Sequence, residues 1–98
     1  MKKRRVNIQL YTRLKEIAGR GSVTVEGDNL QDCVEVLCAQ LGANSRDLVI
    51  QANGLVRASF QVCLNTEMID PKKLATTPFE DGDTLHLMPP IAGGSDAI

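Results

Sequence analysis

Near its end the chain reads Pro89-Pro90-Ile91-Ala92-Gly93-Gly94, followed by Ser95-Asp96-Ala97-Ile98. A Gly-Gly pair alone reads as a frayed terminus, but with Pro-Pro ahead of it the same residues could deliver a main-chain acyl carbon to an enclosed site. Glycine has no Cβ, so Gly93 and Gly94 could thread a narrow channel in any backbone conformation. Pro89 and Pro90 hold the base of such a tail near polyproline II, projecting it away from a domain at low entropic cost. A free carboxylate at Gly94 would be a poor electrophile until one oxygen became part of a leaving group. Its acyl carbon would then need a closed site that keeps water out. In this chain that carbon is bonded to the nitrogen of Ser95, and an amide cannot be activated in the way a free carboxylate can.

No other set of residues offers comparable chemistry. Cys33, Cys38 and Cys63 form no C-x-x-C pair and leave an odd thiol. With no export signal they are expected as reduced cytoplasmic thiols. Cys63 shares its parity with Gln61 and Asn65 and faces outward, and nothing near it in sequence argues for a lowered pKa. His86 has no second histidine and no cysteine at metal-ligand spacing, so it is expected as a solvated strand residue and no metal site is expected. Glu80, Asp81 and Asp83 surround Gly82, a grouping that turns favour for local backbone reasons.

Composition excludes several classes of function. A chain of 98 residues holds one domain. Aromatic residues make up 3% and tryptophan is absent, against the platforms that stack nucleic-acid bases. The formal net charge of -1 gives no global attraction to nucleic acid or an anionic membrane. Lys2-Lys3-Arg4-Arg5 reads as a solvated arm, and the charged, amphipathic stretch after it is no signal peptide. No apolar run is long enough to span a bilayer. A cytoplasmic protein that binds neither nucleic acid nor membrane is expected.

The elements that position the tail follow from periodicity. Val6, Ile8 and Leu10 alternate with polar residues as in a half-buried strand, and Val23 and Val25 give a second one. Between them "TRLKEIAGRGS" reads as a loop or a short turn of helix. Leu30, Cys33, Val34, Leu37 and Leu41 then mark one face of a helix over 29–41. Asp28 is its expected cap with Gln31 as capping-box partner, and Gly42 its expected left-handed stop. Asn53-Gly54 predicts a type I′ turn. Phe60, Val62 and Leu64 mark another strand, "PKKL" a brief helical turn, "EDGD" a tight turn, and "TLHLMP" a closing strand with Leu85 and Leu87 inward. One helix covering one face of an alternating sheet is an α+β layer pair. If the first two strands form a hairpin, the first and last strands can sit side by side and parallel, an arrangement that right-handed crossover favours and that is the β-grasp architecture. The domain is expected over 5–90, with 91–98 as a flexible tail.

Three stretches carry a family resemblance: "LYTRLKEIAGR", "LVRASFQVCLN" and, most specifically, "TPFEDGDTLHLMPPIAGG". On these the chain resembles the ThiS/MoaD group of ubiquitin-like sulfur carriers, most closely the small subunit of molybdopterin synthase. The resemblance implies a carrier with no catalysis and no bound cofactor of its own. An E1-like enzyme would adenylate the Gly94 carboxylate with ATP, and a sulfur donor would convert it to a thiocarboxylate for molybdenum cofactor biosynthesis. Tyr11, Leu87, Met88, Pro89, Pro90 and Ile91 would contact that enzyme and the large synthase subunit, with Gly93 and Gly94 entering the active site. A ubiquitin-like protein modifier, or a carrier for thiamine or cysteine synthesis, uses the same acyl adenylate.

Ser95 to Ile98 depart from the family, whose chains usually stop at the second glycine. Three explanations stand beside one another. A processing peptidase trims a precursor, the end is artificial although it resembles no common tag, or the protein has kept only a binding role. The precursor is the favoured expectation.

Overall fold

The computed structural model describes residues 3–90, so the tail expected over 91–98 lies outside the described residues. Five strands form one mixed sheet. They are β1 (Arg4–Leu10), β2 (Ser22–Gly27), β3 (Gln61–Leu64), β4 (Glu67–Ile69) and β5 (Asp83–Met88), in the spatial order β2-β1-β5-β3-β4. β1 pairs antiparallel with β2 and parallel with β5, so the first and last strands lie side by side in the middle of the sheet. β3 runs antiparallel to both β5 and β4. This is the β-grasp arrangement that the alternation predicts.

One face of the sheet is dry. Val6, Ile8, Leu10, Val23, Val25, Val62, Leu64, Leu85 and Leu87 are buried there. Helix α2 (Leu30–Leu41) covers them with Leu30, Cys33, Val34, Leu37 and Cys38, each fully buried. Leu41, the expected end of that stripe, is only half-buried at the end of the helix. The opposite face carries the alternate residues, among them Asn7, Gln9, Thr24, Gln61, Cys63, His86 and Met88, each exposed or half-buried among the described residues.

Several local details differ from expectation. The cap of α2 is Asn29, whose Oδ1 accepts from the Asp32 N–H at 2.8 Å. Gln31 instead donates from Nε2 to the Gly54 carbonyl at 2.8 Å. Asn29 wins over Asp28 because it alone stands at the residue before the first helical turn, three positions ahead of a free N–H. Gly42 has φ +111 with an extended ψ of 165, so it does not close α2 in the left-handed helical region. It leads directly into another helix, α3 (Ala43–Val49). The stretch "TRLKEIA" forms a full two-turn helix, α1 (Thr12–Ala18), ended by Gly19 at φ +73 with its N–H on the Lys15 carbonyl. Two short helices therefore accompany the long one.

Asn53-Gly54 is a turn of a different type. Gly54 takes φ +88, but Asn53 is not among the residues with positive φ, so the pair is not type I′. Asn53 Oδ1 accepts from Leu55 N–H, and Gly54 N–H closes onto the Gln51 carbonyl. The side-chain bond lets Asn53 keep an ordinary backbone conformation. "PKKL" forms a single 3₁₀ segment, Pro71–Thr76, whose Leu74 plugs the core.

Candidate functional site

The parallel register sets Leu10 of β1 beside Leu87 of β5. Tyr11 then leaves β1 where Met88 ends β5, so these two expected contact residues come together at the base of the tail. Tyr11, Met88, Pro89 and Pro90 line one depression of about 440 Å³ together with Thr12, Ser59 and Gln61. Tyr11 is 36% exposed and Met88 half-buried. Leu87 is a correction. Expected as a contact residue, it is fully buried in the core, because β-strand alternation turns it away from Met88. It supports the patch from beneath and offers no surface. Ile91, Gly93 and Gly94 lie outside the described residues.

A second depression, of about 350 Å³, meets the first at Ser59, Pro89 and Pro90. Its apolar wall is Leu14, Leu48 and Phe60, and Arg13 and Arg57 stand at its edge. Arg57 is held in place: Nε and Nη2 donate to the Asp47 carbonyl at 3.0 and 2.8 Å. The Pro89-Pro90 base is thus flanked by two concave surfaces, the first uncharged and the second lined by Asp47 as well as Arg13 and Arg57. Such a surface fits a partner that presents apolar side chains with a polar rim.

Sequence reading did not find Thr12, Arg13, Leu48, Arg57, Ser59 or Phe60 as site residues. Arg57, Ser59 and Phe60 fall within the quoted stretch "LVRASFQVCLN", which was the available signal. Leu48 had none, because it arrives on α3. Thr12 holds a left-handed φ of +49. For a β-branched residue this conformation is costly, and strain of that kind concentrates where chains must be held for a task.

His86 is not simply solvated. It is half-buried, and its Nδ1 lies 2.8 Å from Tyr11 Oη, with the two rings tilted at 36° and 6.0 Å between centroids. Glu80, Asp81 and Asp83 form the expected turn. Asp83 Oδ2 accepts from Glu80 N–H, Asp81 Oδ1 accepts from Arg5 N–H, and Gly82 N–H donates to the Arg5 carbonyl. These bonds seat the start of β5 against β1. Among the described residues no three of His, Cys, Asp and Glu converge on a common point.

The two buried thiols are chemically quiet. Burial, with Asp32 and Asp28 nearby, pushes Cys33 up to about 11. Burial and Glu35 do the same to Cys38, also to about 11. Neither is a nucleophile at neutral pH. No helix among the described residues is long and apolar enough to cross a membrane.

Comparison with known proteins agrees with this arrangement. The small archaeal modifier protein 1 of Methanosarcina acetivorans superposes with a TM-score of 0.79 at 20% identity, covering 96% of this chain and 100% of that one. The Haloferax volcanii protein of the same name gives 0.70 at 26% identity, over 92% and 99%. A putative molybdopterin converting factor, subunit 1, from Pyrococcus furiosus gives 0.65 at 16%, over 90% and 99%. No curated protein sequence matches the chain. The ThiS family model matches residues 8–94, nearly the whole chain, and the protein belongs to the ThiS family.

Proposed function

We propose that this protein is a non-catalytic sulfur carrier whose working atom is the Gly94 acyl carbon. The supporting observation is where the family match stops: it runs through Gly94 and leaves Ser95–Ile98 outside. A peptidase that cuts after Gly94 frees the carboxylate. An E1-like partner then transfers AMP from ATP to that carboxylate, releasing pyrophosphate, and a sulfur donor displaces AMP to leave a thiocarboxylate. The chain binds no cofactor, and ATP and the sulfur donor belong to the partner enzyme's reaction. Both proteins meet in the cytoplasm.

The two depressions suit docking of such a partner, because Pro89 and Pro90 line both of them. The recipient we favour is the large subunit of a molybdopterin synthase, in keeping with the "LMPPIAGG" ending and the likeness to a molybdopterin converting factor subunit. The likeness to small archaeal modifier proteins supports a second reading, conjugation of Gly94 to protein lysines. Both use the same acyl adenylate.

The experiment compares the full chain with one ending at Gly94. Each is incubated with an E1-like enzyme, ATP and a sulfur donor, and its intact mass is measured. The trimmed chain should gain mass by one oxygen-to-sulfur exchange, while the full chain stays unchanged. Thiocarboxylation of a chain that retains Ser95–Ile98 would overturn the precursor reading. A trimmed chain that no such enzyme modifies would leave a plain binding domain. A lysine-linked product would select the modifier.

A further inference from the structure

The open face of the sheet carries a row of soft donor atoms that the tail chemistry does not use. β3 lies between β5 and β4, and the register sets Cys63 opposite His86 on one side and opposite Met68 on the other. Met88 pairs with Gln61, which places it on the same face, diagonal to Cys63. Directly opposed Cβ atoms are about 4.5–5.5 Å apart and diagonal neighbours about 7–8 Å. A thiol, an imidazole and a thioether can therefore meet over Cys63, and the long side chain of Met88 can approach from the diagonal. All four are accessible: Met68 is 64% exposed, and Cys63, His86 and Met88 are half-buried.

The imidazole is already oriented. Tyr11 Oη stands 2.8 Å from His86 Nδ1. When Nδ1 donates that hydrogen bond, the Nε2 lone pair is left to ligate, the arrangement that metal-binding histidines use. Cys63 Sγ makes a weak 3.4 Å contact with the Asn65 carbonyl, which a metal can displace.

We propose that Cys63, His86 and Met68, with Met88 at the edge, form a surface site for the monovalent copper ion. The donor set selects the metal. Thiolate and thioether sulfur with imidazole is a soft set suited to copper(I), whereas carboxylates, the ligands of magnesium and calcium, are absent from this row. Zinc(II) takes thiolate, imidazole and carboxylate ligands, usually four, and this row supplies two of those groups. On binding, the Cys63 S–H bond breaks, its proton goes to solvent and a copper–sulfur bond forms. Copper stays monovalent and no electron moves. Cys33 and Cys38 cannot compete, being buried in the core.

The test uses the full chain under anaerobic, reducing conditions, with copper(I) buffered by the chromogenic chelator bicinchoninate. The protein should withdraw one equivalent of copper from the chelator. Cys63→Ser should abolish that withdrawal, and His86→Asn and Met68→Leu should each weaken it. Tyr11→Phe removes only the group behind the ligand, and should weaken binding about 10–100-fold. Circular dichroism of each variant separates loss of the site from loss of the fold. X-ray absorption at the copper edge should show both sulfur and nitrogen neighbours. Undiminished binding by Cys63→Ser, a copper centre without nitrogen, or equally tight capture of zinc(II) would overturn the assignment. None of these readouts involves Gly94, so failure here leaves the carrier reading intact.

Discussion

Tyr11 Oη and His86 Nδ1 lie 2.8 Å apart although 75 positions separate the residues. The bond ties the residue leaving β1 to the middle of β5, beside the point where the tail departs. Tyr11→Phe keeps the ring and removes the bond, so its cost should be that of one exposed hydrogen bond, about 0.5–1.5 kcal/mol. Urea unfolding followed by circular dichroism checks this. A loss several times larger would mean that the hydroxyl supports more of the fold than this contact.

Leu37 is fully buried at the centre of the α2 stripe. Leu37→Ala should destabilise the protein by about 2–5 kcal/mol, through lost transfer energy and the cavity left behind. Val36, one position along the helix, is 38% exposed. Val36→Ala should stay within about 0.5 kcal/mol of wild type. Equal losses from the two would contradict the assignment of the dry face.

Gly27 is required for space. A Cβ there would stand 3.0 Å from both the backbone nitrogen and Sγ of Cys33, and 3.2 Å from Asp32 Cβ. The nitrogen cannot retreat, because it donates to the Asn29 carbonyl in the first turn of α2. Gly27→Ala should therefore cost about 1–3 kcal/mol by overpacking. Adding Cys33→Ala should relieve only the Sγ contact, so the double variant should recover less than the full loss in a double-mutant cycle.

Stability should fall at high pH through the two core thiols. Cys33 and Cys38 are raised from 9.0 to about 11 in the folded chain. Between those values the unfolded chain releases thiol protons that the folded chain retains, so ionisation favours unfolding. The contribution is fully present below pH 9 and is lost as pH rises from about 9 to about 11. Denaturant midpoints measured over that range should drop less in the doubly substituted Cys33→Ala, Cys38→Ala protein. Equal slopes would show that the buried thiols do not govern the loss.

The central strands were legible because one physical rule covers them: Val6, Ile8, Leu10, Leu85 and Leu87 alternate, and alternation assigns a face. The α2 stripe was legible for the same reason at helical period. α3 was not, since seven residues with Leu48 and Val49 adjacent make no stripe of their own. Its place depends on Gly42 and on packing against α2. The proposal for Gly93-Gly94 rests on residue types that are local in the chain, and those residues lie outside the described ones. The Tyr11–His86 bond and the row formed by His86, Cys63 and Met68 were not legible, because pairing register brings them together and sequence spacing hides them.

Met88 and Leu87 give the sharpest test of the docking surface, since neighbours in sequence face opposite sides of the sheet. Met88 lines the depression at the base of the tail, whereas Leu87 is wholly buried. A lysine at 88 can extend into solvent in the free protein, so Met88→Lys should fold nearly as well as wild type. Once a partner covers that surface, the ammonium group would be desolvated without a counter-charge, a penalty of several kcal/mol. Binding to an E1-like adenylating enzyme, followed by calorimetry or surface capture, should then be abolished. Leu87→Lys places the same charge in the core and should unfold the chain, which thermal melting distinguishes from lost binding. A folded Met88→Lys protein that binds the enzyme with wild-type affinity would remove Met88 from the surface and place docking elsewhere, with the Arg13 and Arg57 margin the next region to substitute.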